Sequence, residues 1–140
     1  MKLSFFIILI LLAFPTFSQI LSVEISGIRT DKGVIQLSVY RDKETFNEEK
    51  PFRVFNFPKT GMKDGNITVT IPDLATGTYG IALIDDKNGN GKMDYHFLLP
   101  CEGFGFSNYY FKVSRKPDFE LFTFPFSNND TSIRIKVQYF

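Results

Sequence analysis

The sequence has one cysteine, one histidine and no tryptophan in 140 residues. A lone thiol, Cys101, excludes an intramolecular disulfide. Cys101 and His96 together also fall short of the four ligands a structural zinc site uses. An excess of charge of either sign is missing: the formal net charge is +1 and becomes zero once Lys2 is set aside. No basic stripe runs through the chain, which argues against nucleic acid or an anionic membrane surface as partner. Long apolar runs are missing too. The longest, Phe5 to Phe14, is about half the ~20 residues a spanning helix needs. Lys2 precedes it and Pro15-Thr16-Phe17-Ser18 follows, the pattern of a secretory signal cut after Ser18. No cysteine follows closely, so a lipoprotein anchor is not indicated. The expected organisation is a signal peptide over 1–18 and a single domain over 19–140, secreted or periplasmic, with no membrane span in the mature form.

The chemistry that is present gathers in Asp85-Asp86-Lys87-Asn88-Gly89-Asn90-Gly91-Lys92-Met93-Asp94. Counted from Asp86, oxygen-bearing side chains stand at alternate positions: Asp86, Asn88 and Asn90. Gly91 turns the backbone, Lys92 offers its carbonyl and Asp94 adds a second carboxylate. A hard cation such as Ca²⁺ takes six to eight oxygens at roughly 2.3–2.6 Å, and a curled chain supplies them at such spacing. An EF-hand is excluded, because its twelfth position is Phe97 rather than Glu and the flanking sequence is not helical. The better likeness is the D-x-[DN]-x-[DN]-G-x-x-D loop that joins two strands in integrin-type propellers, where the ninth residue, here Asp94, closes the site. The expected metal ligands are therefore Asp86, Asn88, Asn90, Lys92 and Asp94, binding Ca²⁺ in the weak extracellular range of roughly 10⁻⁴–10⁻³ M. A polar Asn-Gly turn without an ion is the alternative.

Period-two alternation marks strands on both sides of this loop. Leu21, Val23 and Ile25 alternate with polar residues, as do Ile35, Leu37 and Val39, and the two runs are expected to pair as a hairpin across Asp31-Lys32-Gly33. Arg41 to Lys50 reads as a loop or a single helical turn with Phe46 turned to the core. Phe52 to Phe57, bounded by prolines, reads as an edge strand. Lys63-Asp64-Gly65-Asn66 is a turn leading into Ile67–Ile71. Tyr79–Asp85 enters the loop, Tyr109–Val113 is a further strand, Phe119–Phe126 is aromatic but irregular, and Thr131–Tyr139 alternates most cleanly. About seven short strands with no long helical period predict an all-β fold, an immunoglobulin-like or transthyretin-like sandwich.

Leu74-Ala75-Thr76-Gly77-Thr78-Tyr79, the Asp85–Asp94 stretch and Glu102-Gly103-Phe104-Gly105-Phe106-Ser107-Asn108 together resemble a family of exported bacterial proteins, domain of unknown function family 2141. The Gly-Thr-Tyr corner is also similar to one in transthyretin-like and carboxypeptidase-regulatory sandwich domains. What the resemblance implies is a small secreted sandwich; it supplies no catalytic residue.

No nucleophile comes with an evident base. His96 and Cys101 are five residues apart, but a dyad needs hydrogen-bond contact and an orienting third group. Glu102 reads equally as a brace or extra ligand for the loop and as a solvated carboxylate. Phe104, Phe106, Tyr109 and Tyr110 are expected in the core sooner than on an exposed platform. The function expected is a non-catalytic binding module for a glycan or an envelope protein. A purely structural domain held by its ion is the alternative, and a hydrolase using Asp85, Glu102 or His96 comes third.

Overall fold

The computed structural model describes residues 19–110, 115–127 and 129–140. The signal peptide expected over 1–18, and the part of the Tyr109–Val113 strand beyond Tyr110, lie outside the described residues. Ten strands run in the order β1 (Leu21–Ser26), β2 (Val34–Tyr40), β3 (Arg53–Pro58), β4 (Ile67–Ile71), β5 (Gly77–Asp86), β6 (Tyr95–His96), β7 (Leu99–Pro100), β8 (Gly103–Phe106), β9 (Thr123–Phe126) and β10 (Thr131–Lys136). One short helix, α1 (Lys43–Asn47), and a 3-10 turn, Phe119–Phe122, are the helical pieces among the described residues. None of their helices is long and apolar enough to cross a membrane.

Eight of these strands form two layers, and β6 and β7 pair with each other. The first sheet has the order β10-β1-β4, with β1 parallel to β10 and antiparallel to β4. The second has the order β3-β2-β5-β8, and β9 shares the outer edge of β5 with β8. Alternation explains the layering: every second residue points inward and needs a partner layer. Leu21, Val23 and Ile25 of β1 and Ile133 and Ile135 of β10 are buried opposite Ile35, Leu37 and Val39 of β2 and Ile81 and Leu83 of β5. This is the all-β sandwich expected from the sequence.

The pairing of β1 with β2 is not observed: the two strands belong to opposite sheets. Residues 27–33 carry the chain across the sandwich, with Gly27 at φ 80° where a left-handed residue is needed. Alternation fixes which face of a strand is buried and is silent about its neighbour. The expected edge strand is present, since β3 pairs on one side alone, with β2. α1 is the expected helical turn, capped by Asp42, whose carboxylate accepts the Thr45 N–H at 2.8 Å, and Phe46 is buried. The Phe119–Phe126 segment is more regular than its sequence suggests, a 3-10 turn running directly into β9. At the corner before β5, the Tyr79 hydroxyl donates to the Ala75 carbonyl at 2.7 Å and fixes the entry into that strand.

Candidate metal centre

β5 delivers two adjacent carboxylates to opposite uses. Ile81, Leu83 and Asp85 continue the inward alternation, so Asp85 ends beneath the core, fully buried. There it takes a buried salt bridge from Lys59, whose ammonium also donates to the carbonyls of Thr30 at 2.9 Å and Lys32 at 2.6 Å. Three acceptors thus meet the three ammonium hydrogens. The second carboxylate oxygen accepts from the Tyr139 hydroxyl. Burial, and then this hydrogen bond to a carboxylate, pushes the Tyr139 phenol well above its ordinary value.

Asp86 points the other way and organises the loop. Its Oδ1 accepts the N–H of Gly89 at 2.7 Å and of Asn90 at 3.2 Å, and its Oδ2 accepts that of Gly91 at 2.8 Å. Asn88 Oδ1 then accepts from the Asn90 N–H at 3.1 Å, and Asn90 Oδ1 from the Lys92 N–H at 3.1 Å. These bonds curl the chain, with Gly89 at φ 70° and Gly91 at φ 78° supplying the left-handed turns. Across the curl, the amide groups of Asn88 and Asn90 donate to the Asp94 carboxylate, at 2.7 Å and at 2.9–3.0 Å. Gly33 lies against the root of the loop so closely that an added Cβ would sit 1.9 Å from the Asp86 carbonyl oxygen.

Of the four expected side-chain ligands, Asn88 and Asn90 meet Asp94, and Asp86 holds the backbone N–H groups of the same turn. The donor set they offer is two carboxylates and two amides, with the Lys92 carbonyl as a backbone candidate, all hard oxygen donors of the kind Ca²⁺ takes. Among the described residues no group of three or more His, Cys, Asp or Glu side chains is placed to hold a metal. A cation here must therefore draw on amide and backbone oxygen as well as carboxylate.

Glu102 is a brace. It is 4% exposed, and its two oxygens accept the Lys87 N–H at 2.9 Å and the Asp94 N–H at 3.4 Å, tying together the two ends of the loop. Burial pushes its carboxyl above the ordinary value, with those two N–H bonds acting in the opposite sense. The eight-residue separation from Asp94 was the one sequence signal for this role.

The other candidates do not meet. His96 and Cys101 are both exposed, and no hydrogen bond joins them among those the described residues make. Cys101 follows β7 on an open turn. Asp85, Glu102 and His96 each have different surroundings, respectively Lys59 and Tyr139, the loop backbone, and the Phe97 ring at 4.4 Å. Phe104 is buried, while Tyr110 is half-exposed beneath Lys136. β6 and β7 form a small hairpin whose tip, Phe97 (87% exposed) and Leu98 (92% exposed), was not anticipated. Both residues sit at positive φ, 48° and 67°, a turn that Asn-Gly adopts with less strain.

The fold and this loop define a small β-sandwich with a hydrogen-bonded Asx turn system at the end of its longest strand. Residues 23–134 match the model of an uncharacterised protein family conserved in bacteria, domain of unknown function family 2141, and the chain belongs to that family. No curated protein and no solved structure matches it.

Proposed function

We propose that the protein is a calcium-stabilised, non-catalytic β-sandwich module that acts outside the inner membrane, secreted or periplasmic, where it binds a glycan or an envelope protein. One observation supports the metal reading above the others. Asn88 and Asn90 both turn their amides onto Asp94 while Asp86 is clamped by three backbone N–H groups. A cation seated against Asp94 would draw the amide oxygens in place of the nitrogens, at the expense of the bonds those oxygens now accept from the Asn90 and Lys92 N–H groups. Asp86, Asn88, Asn90 and Asp94 would then bind through side chains and Lys92 through its carbonyl.

Two carboxylates suit an affinity of roughly 10⁻⁴–10⁻³ M, matched to millimolar calcium outside the cytosol. Binding to the folded state alone adds about 2.7 kcal/mol at one hundred times the dissociation constant. The test is a thermal melt of the domain with calcium and with chelator. Calcium should raise the melting temperature of the wild type and of Lys92→Ala, but not of Asp94→Ala. Equal melting temperatures in all conditions, with no calorimetric heat of binding, would leave the loop an ordinary polar turn.

A further inference from the structure

The outer faces of the two sheets differ in kind. The three-stranded sheet presents Glu24, Thr68, Thr70, Ser132 and Arg134 to solvent. At the corresponding outward positions the five-stranded sheet presents Val54, Ala82, Ile84 and Phe104 beside Gln36, Ser38 and Asn56. One half of that apolar face is closed by Phe46 of α1 and by Phe119 and Phe122, whose rings pack on one another with centroids 5.0–5.8 Å apart. Gly80 lies beneath them, since a Cβ there would meet Phe119 and Phe122 at 2.7 Å. The other half stays open as a groove of about 550 Å³. Its floor is Gln36, Ser38, Ala82, Ile84 and Phe104; it is also lined by Met93, Tyr95 and Pro100, and by Phe46 and Phe106.

Charge at the rim of the groove is one-sided. Lys92, Arg115 and Lys116 line it, against a single carboxylate, Glu49. Lys116 is already engaged: it lies 3.6 Å from Glu49 and donates to the Phe46 carbonyl at 2.7 Å. Among the described residues neither Lys92 nor Arg115 is in an ion pair. What remains is an apolar trough with uncompensated positive charge at its edge.

We propose that this groove binds a small amphiphile, an apolar chain or ring ending in a carboxylate or phosphate. Its volume lies in the range of roughly 300–1,000 Å³ usual for small-ligand sites. A sugar chain fits less well, because sugars need hydrogen-bonding groups along their length and the floor offers only Ser38 and Gln36. A neutral hydrocarbon would leave the rim charges unused, whereas an anionic head meets them in charge-assisted hydrogen bonds. The site does not require the ion; it goes beyond the calcium reading and is tested without it.

The experiment is isothermal titration of the folded domain with dodecanoate and dodecyl phosphate, each below its micellar concentration, and with dodecanol below its solubility limit. Chelator is present throughout, so calcium soaps do not form and the outcome is independent of the metal loop. Saturable one-to-one binding is expected for at least one anion, about tenfold tighter than for dodecanol, the worth of one good charge-assisted contact. The tighter anion identifies the head group. Arg115→Glu should weaken that binding by about tenfold or more, and Ile84→Trp, which fills the floor, should abolish it. Dichroism melts establish that both variants fold; if Ile84→Trp does not, Ala82→Leu takes its place. Absence of saturable binding, equal affinity for dodecanol, or an unchanged affinity in Arg115→Glu would overturn the proposal.

Discussion

Replacing Lys59 by methionine should be among the most damaging single changes this domain can suffer, although lysine is ordinarily a surface residue. The side chain is 1% exposed and its partner Asp85 is 0% exposed. Methionine keeps most of the apolar stem and removes the ammonium alone. Two consequences follow. Asp85 becomes a buried carboxylate supported only by the Tyr139 hydroxyl, and breaking a buried pair in this way costs about 3–5 kcal/mol. The Thr30 and Lys32 carbonyls also lose their donor, at about 1 kcal/mol for each carbonyl that water does not reach. Against a total stability of about 5–15 kcal/mol for a domain of this size, the loss is a large share. Urea denaturation followed by dichroism measures it directly. The double variant Lys59→Met/Asp85→Leu separates charge from packing, because it removes both ions together. It should recover at least about 2 kcal/mol relative to the sum of the two single losses, since buried pairs are often replaceable by apolar side chains. A Lys59→Met loss below about 1 kcal/mol, or simple additivity in the cycle, would refute the view that this pair is isolated from water.

Two further outcomes are expected. Phe97→Asn/Leu98→Gly should stabilise the domain by about 1–2 kcal/mol, because both residues hold positive φ with little burial in return; a lower denaturation midpoint in the double variant would contradict this. For pH, the neutral phenol of Tyr139 is favoured in the folded state, so its contribution is full below the ordinary tyrosine range and is lost as pH rises through the raised value. Tyrosinate absorbance should accordingly show a late phase that Tyr139→Phe removes, and a titration without that phase in the wild type would tell against a buried phenol.

The parts of the fold that were legible are those where one residue's neighbours in sequence determine its environment. β1, β4 and β10 could be read because each buries one face and leaves the other wet, and β2 and β5 because small or polar residues, Gln36 and Ser38 and then Gly80 and Ala82, alternate with their inward apolar ones. β8 was not, because its inward positions are Gly103 and Gly105. A Cβ on Gly103 would meet Tyr139 at 2.4 Å, and one on Gly105 would meet Ile135 at 2.6 Å. The large residues of that strand, Phe104 and Phe106, therefore point outward, and the alternation carries the opposite sign. β9 was obscured by Pro125, which fits because β9 pairs with β5 alone. The groove was illegible for a related reason: apolar residues on an open sheet face look in sequence like apolar residues in a core.

The same distinction separates the two halves of the site. The Asp86–Asp94 spacing is local, and the hydrogen bonds that shape the loop all close within six residues. What holds the loop in place is not local. Glu102 reaches back 15 residues to Lys87 and Lys59 reaches 26 residues forward to Asp85, and neither spacing belongs to a helix or a turn. Both bonds converge on the end of β5, where the Asp85 side chain is fixed by Lys59 and the N–H of Lys87, the next residue after the strand, by Glu102. Asp86, between them, is left with little freedom before its own three N–H bonds are counted. A loop with only two carboxylates has little charge with which to draw itself closed around a cation. Fixing Asp86 beforehand lowers the ordering entropy that closure would otherwise cost, which is why the buried lysine and the braced glutamate belong to the physics of the loop even though neither would touch an ion.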